Sequence, residues 1–136
     1  MTRARILLAE DHKEMRDTIE HLLESDFDIV GVSASGDELL KAELETHPDV
    51  CVVDISMPKV SGIQAADQLK SRGSRAKVLF LTAHEDPDLL QATLDTGALG
   101  YVLKSHMVSD LGRAVRSVLR GELFISPFNS LRPNKR

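Results

Sequence analysis

Val50-Cys51-Val52-Val53-Asp54 decides the fold: four residues of buried type, closed by a carboxylate. A continuously apolar run of this length reads as a strand covered by helices on both faces of a parallel sheet. The charge at its end is expensive to bury without partners. Other apolar runs end in the same way. Ile6-Leu7-Leu8-Ala9 is closed by Glu10-Asp11, the run from Lys77 to Leu81 by Thr82, and Gly100 to Leu103 by Lys104.

Helical patterns fill the spaces between these runs. Met15, Ile19, Leu22 and Leu23 recur at helical spacing. A strand is expected over Ile29 to Ala34. Ser35-Gly36-Asp37-Glu38 then matches a capping box ahead of Leu39, Leu40 and Leu44, and His47-Pro48 stops that helix. Ser61-Gly62-Ile63-Gln64 is a second capping box, with Gly73 as the stop. Asp86-Pro87 pairs an N-cap with proline at the first helical position, and Gly97 ends the helix. Leu111, Ala114, Val115, Val118 and Leu119 form the last stripe, which Gly121 ends. The expectation is an α/β domain with a five-stranded parallel sheet and five helices. Its doubly wound order is 2-1-3-4-5, over residues 1–126, with 127–136 as a C-terminal tail or linker.

Composition narrows the class. The chain has 136 residues, enough for one domain with a substantial core. A net charge of −4 argues against nucleic acid as the main partner. The single cysteine, Cys51, forms no internal disulfide and reads as a small buried residue. The N-terminus is neither a signal peptide nor a membrane span, so a cytoplasmic location is expected. The five histidines, His12, His21, His47, His84 and His106, lack metal-ligand spacing and read as surface or loop residues.

The strand order turns strand ends into a site. Ligands of such sheets bind outside the carboxyl ends of the strands, where the order reverses. Strands one and three then lie side by side, roughly 4.8 Å apart. Glu10, Asp11 and Asp54 share that crevice. Two carboxylates about 4 Å apart repel by about 4 kcal/mol at an effective dielectric near 20, so the cluster shifts its pKa values or recruits a cation. Oxygen ligands with a nearby lysine suit Mg2+. A carboxylate, Mg2+, the Thr82 hydroxyl and the Lys104 ammonium together suit phosphoryl transfer, with a carboxylate able to act as nucleophile.

These residues carry a family resemblance. Glu10-Asp11, Asp54 with Met57-Pro58 and Gly62, Thr82-Ala83, and Lys104 after Gly100-Tyr101-Val102-Leu103 resemble a response-regulator receiver domain of two-component signalling. The likeness spans Arg5 to about Ser126. It implies that Asp54 is the phosphoacceptor, taking a phosphoryl group from a sensor histidine kinase or phosphotransfer protein. Asp11 and Asp54 would hold Mg2+ with the Ser56 backbone carbonyl, and Glu10 mainly through water. Lys104 would contact Asp54 and the phosphoryl oxygens. Thr82 and Tyr101 would be the switch pair, with Tyr101 rotating inward. Ser56 and His84 would tune the phosphoryl lifetime. Arg113, Arg116 and Arg120 mark the exposed part of the last helix, a solvated face or a partner face, and a homodimer on phosphorylation is compatible with the likeness.

Ser105 stands where many relatives have proline, which leaves the Lys104–Ser105 isomer open. Gly121 to Pro127 resembles receivers that lead into a LuxR-type helix-turn-helix domain. The expectation is a stand-alone receiver or the receiver part of a transcription regulator, without specific DNA binding by this chain itself. The likeness implies that it would catalyse its own phosphotransfer and slow autodephosphorylation without being a turnover enzyme. The main alternative is a pseudo-receiver, a protein-binding module without phosphoryl chemistry, but that reading expects Asp54, Lys104 or the acid pair to be missing. A flavodoxin-like cofactor protein needs a phosphate loop where Glu10-Asp11-His12-Lys13 stands. A magnesium phosphohydrolase typically carries a second Asp where this chain has Ser56.

Overall fold

The computed structural model describes residues 3–57 and 59–127. In chain order the elements are β1 (Arg5–Ala9), α1 (Lys13–Leu23), β2 (Asp28–Ser33), α2 (Gly36–Thr46), β3 (Val50–Asp54), α3 (Gly62–Ser71), β4 (Lys77–Thr82), α4 (Pro87–Asp95), β5 (Gly100–Leu103), a 3-10 turn (Lys104–His106), α5 (Met107–Leu119) and β6 (Phe124–Ile125). All strand pairs are parallel, in the order β2-β1-β3-β4-β5-β6. The expected order holds, with one strand more than the sequence suggested. β6 is two residues long and adds to the outer edge of β5. So short a run shows no alternation, so no period could announce it. The second strand starts one residue earlier than expected and stops at Ser33. Of the expected tail, residues 128–136 lie outside the described residues.

Alternation along the strands builds two cores. Leu7, Ala9, Cys51, Val53, Phe80 and Tyr101 face one side, packing with Leu39, Ala65 and Leu69 of α2 and α3. Ile6, Leu8, Val50, Val52, Leu79 and Leu81 face the other, against Ile19 and Leu23 of α1 and Leu111, Val115 and Val118 of α5. The 2.0-residue period of a strand thus distributes one apolar run between two layers. Cys51 is fully buried, and burial pushes its thiol up to about 12. That agrees with a packing role.

The helix caps follow the sequence signals. Ser61 and Gln64 form a reciprocal capping box. Ser35 accepts from the Glu38 amide, but the Glu38 side chain reaches past it to the Ala34 amide. Asp86 caps α4 by accepting from the Asp88 and Leu89 amides. Glycine draws the chain after β3 close to its neighbours. A Cβ at Gly62 would lie 2.4 Å from the Asp54 carbonyl oxygen, and one at Gly36 would lie 2.2 Å from the Val60 carbonyl oxygen. Lys59, between these contacts, has a left-handed backbone with φ 64°.

Candidate functional site

Register decides which side chains meet. Ala9 pairs with Val53, Asp54 with Leu81, and Thr82 with Leu103. The residues that close β1, β3, β4 and β5 therefore gather along one edge of the sheet. The first three carboxylates converge as expected. One ligand atom from each of Glu10, Asp11, His12 and Asp54 falls within 4.8 Å of the others.

Burial gives this cluster its character. Glu10 is fully buried and Asp54 is 3% exposed. The Lys104 Nζ reaches both, at 2.8 Å from Glu10 Oε1 and 3.4 Å from Asp54 Oδ1. Lys104 thus lies closer to Glu10 than to Asp54. The Ser56 amide donates to Asp54 Oδ1 at 3.3 Å. Burial, and then the neighbouring Glu10 charge, raise Asp54 to about 6, although Lys104 pulls the other way. Burial also opposes the Glu10 charge, but the Lys104 ammonium and His12 outweigh it and hold Glu10 below its usual value. Burial acts against the Lys104 charge in turn, yet Glu10 and Asp54 hold its pKa above normal. The ammonium therefore stays charged at neutral pH.

Two buried carboxylate oxygens are thinly served: Glu10 Oε1 faces only the Lys104 ammonium at 2.8 Å, and Asp11 Oδ1 has His12 Nδ1 at 3.3 Å without hydrogen-bond alignment. One ammonium thus serves two buried carboxylates, Glu10 and Asp54, with Asp11 beside them. Three clustered carboxylates facing one ammonium leave room for a further positive group. Carboxylate oxygens are the donor set a hard divalent cation prefers, so the residues present fit Mg2+.

Thr82 and Tyr101 form a second group. Thr82 is 2% exposed and Tyr101 is fully buried. They meet through the main chain of His84: its amide donates to Thr82 Oγ1 at 3.1 Å, and its carbonyl accepts from the Tyr101 hydroxyl at 3.1 Å. The Tyr101 ring thus already lies inward. Burial raises its hydroxyl pKa. The His84 side chain is exposed, and its main chain makes both contacts. The Lys104–Ser105 peptide is trans, as are the other described bonds.

Sequence reasoning missed two neighbours of the acid pair. His12 is exposed, as a surface residue should be. Its Nδ1 nevertheless lies 3.2 Å from Glu10 Oε2 and 3.3 Å from Asp11 Oδ1. Arg16 donates to the carbonyls of Glu10 and Asp11 at 3.0 and 3.2 Å, tying the loop to α1. The signal was position: His12 precedes the helix, and Arg16 sits one turn in. Arg113 and Arg116 of α5, and Arg120 just after it, are engaged within the chain. Arg116 pairs with Asp26 at 2.8 Å, Arg113 stacks over Phe124, and Arg120 pairs with Glu122. Among the described residues, no helix is long and apolar enough to cross a membrane.

Comparison with known proteins agrees with this geometry. Residues 6–116 match the family described as the response regulator receiver domain. The chain is 36% identical over 133 residues to an uncharacterized transcriptional regulatory protein, YvfU, of Bacillus subtilis, covering 94% of this chain and 66% of that protein. It is 34% identical to the transcriptional regulatory protein DesR of the same organism, covering 90% of this chain and 61% of that protein. It thus spans less than two thirds of these relatives. Among solved structures, a LuxR-family two-component response regulator from Aurantimonas sp. superposes with a TM-score of 0.88 at 30% identity, covering 93% of this chain and 91% of that one. The signal receiver domain of the putative response regulator NarL from Mycobacterium tuberculosis gives 0.86 at 27% identity, covering 90% and 100%. This chain belongs to the response regulator receiver domain family.

Proposed function

We propose that the chain is a phosphorylation-dependent switch in which Asp54 accepts a phosphoryl group from a histidine kinase or phosphotransfer protein. The observation that carries this reading is the pairing of buried Asp54 with Lys104 at 3.4 Å, beside the clustered carboxylates of Glu10 and Asp11. An Asp54 oxygen attacks phosphorus in line, and the P–N bond to the donor imidazole breaks. The electron pair goes to that nitrogen, which takes up a proton. Asp54 must be ionised to attack, and with its pKa near 6 it is mostly so above neutrality.

Glu10, Asp11, Asp54 and the Ser56 carbonyl would hold Mg2+, which when bound neutralises charge gathering on the phosphoryl oxygens. Lys104 supplies a further positive charge from its place between Glu10 and Asp54. Thr82 turns its hydroxyl toward the phosphoryl group and releases the His84 amide. Because His84 also holds the Tyr101 hydroxyl, that movement reaches the ring on β5. This is a local charge event biasing a two-state surface. His84 and Ser56 flank the group and set its lifetime.

Residues 1–126 form the receiver unit in this reading, in the cytoplasm with its kinase. The relatives' printed names make a transcriptional role the natural output. Phosphorylation would promote homodimerisation, without specific DNA binding by this chain alone. The test is covalent labelling by Mg2+ and a small-molecule phosphodonor, read by intact mass. One phosphoryl group on the wild type and none on Asp54→Asn is the expected result. Full labelling of Asp54→Asn would refute it.

A further inference from the structure

Phe124 to Ser126 lies along the outer edge of β5. The Phe124 amide donates to the Leu99 carbonyl and the Ser126 amide to the Tyr101 carbonyl, each at 2.8 Å. In a regular parallel ladder the next bond would run from the Leu103 amide to the Ser126 main-chain carbonyl. Here the Ser126 hydroxyl takes that place, accepting from the Leu103 amide at 3.2 Å. It donates in turn to Asp110 Oδ2 at 2.9 Å. Ser126 is fully buried and Asp110 is 7% exposed.

Asp110 belongs to the first turn of α5 and also accepts from the Ser109 hydroxyl at 3.1 Å. His106 Nδ1 and an Arg113 guanidinium nitrogen each lie 3.9 Å from its carboxylate. Arg113 continues over the Phe124 ring, 5.5 Å from its centroid. One hydroxyl therefore joins the end of β5, the start of α5 and the residue after β6. Lys104 lies in the chain between these two anchored points, Leu103 and Asp110. It follows Leu103 and opens the 3-10 turn that runs into α5.

We propose that Ser126, through its bonds to the Leu103 amide and Asp110, is a positioning residue that holds Lys104 for phosphoryl transfer. The proposal rests on the reading of Asp54 as phosphoacceptor. Removing the hydroxyl leaves a buried amide and a buried carboxylate oxygen without their partner. The β5 edge then loosens at the residue before Lys104. Its ammonium loses the fixed place that puts it 3.4 Å from Asp54. Small misplacements matter here because this chemistry depends mostly on positioning and fixed charge.

The test compares wild type, Ser126→Ala and Ser126→Thr in labelling by Mg2+ and a small-molecule phosphodonor. Amide hydrogen exchange at Leu103 and Lys104 is followed in parallel. Ser126→Ala is expected to lower the maximal labelling rate about tenfold with little change in the half-saturating donor concentration. Exchange at both amides should quicken. Ser126→Thr keeps the hydroxyl and restores both readouts. Asp110→Asn keeps an acceptor for that hydroxyl and should behave as wild type, whereas Asp110→Ala should match Ser126→Ala. Wild-type labelling in Ser126→Ala, or a Thr variant as slow as the Ala variant, overturns the proposal. If the wild type takes up no phosphoryl group, the proposed function fails on its own. The exchange rates then still decide whether Ser126 secures the backbone before Lys104.

Discussion

Replacing Asp54 by Asn should make the metal-free protein more stable. The Asp54 carboxyl is raised from its usual 3.8 to about 6, first by burial and then by Glu10. At about 1.4 kcal/mol per pH unit, keeping this group ionised at pH 7.5 costs the folded state about 3 kcal/mol relative to the unfolded chain. Asn has nearly the same volume, still accepts from the Ser56 amide and carries no charge. The Lys104 attraction is already contained in the raised value, so about 3 kcal/mol is the working expectation. A raised folded pKa fixes the pH course. Protonated Asp54 favours the folded state below pH 3.8, and that contribution disappears as pH rises through 6. The advantage of Asn should therefore be small at pH 4 and grow to its full size by pH 7. Urea unfolding in chelator at both pH values measures it. Mg2+ at ten times its dissociation constant should add about 1.4 kcal/mol to the wild type by linkage and much less to Asp54→Asn. An Asn variant no more stable than wild type at pH 7.5 in chelator would refute the electrostatic account of the site.

Gly62→Ala should destabilise by at least 2 kcal/mol (order-of-magnitude) in urea unfolding and slow Asp54 labelling, because its Cβ would press on the Asp54 carbonyl oxygen, 2.4 Å away. Lys59→Gly should raise stability by about 0.5–1 kcal/mol in the same assay by relieving a left-handed backbone at φ 64°. Arg72→Ala should cost about 2–3 kcal/mol and lower the melting temperature, since it strips the ion-pair partner from Glu43, which is 7% exposed. Restoring the charge as Arg72→Lys should recover part of that loss, and a neutral Ala variant would contradict the pairing argument.

The sheet was legible because its strands are covered on both faces. Runs such as Val50–Val53 have few other ways to bury themselves. The site was legible for a related reason: charges at the ends of such runs are costly, so their presence marks use. Contacts that depend on main-chain atoms were not legible. The link from Thr82 to Tyr101 through the His84 amide and carbonyl uses groups every residue has. Nor could residue type show that Lys104 would settle nearer Glu10 than Asp54, since that turns on ångström differences in loop placement. The hydroxyl of Ser126 was hidden too, because a serine before a proline reads as an ordinary turn residue.

β6 also changes what the sheet offers to other chains. An uncovered strand presents a row of free amides and carbonyls that a foreign strand can pair with. At the β5 side such groups are already met at Leu99, Tyr101 and Leu103 by the Phe124 amide and by the amide and hydroxyl of Ser126. β6 is itself only two residues long and offers little to pair with, so strand addition, whether by a peptide or by a misfolded copy, is directed to the opposite border. There β2 is the outermost strand of the described sheet, and its Val32 is 42% exposed.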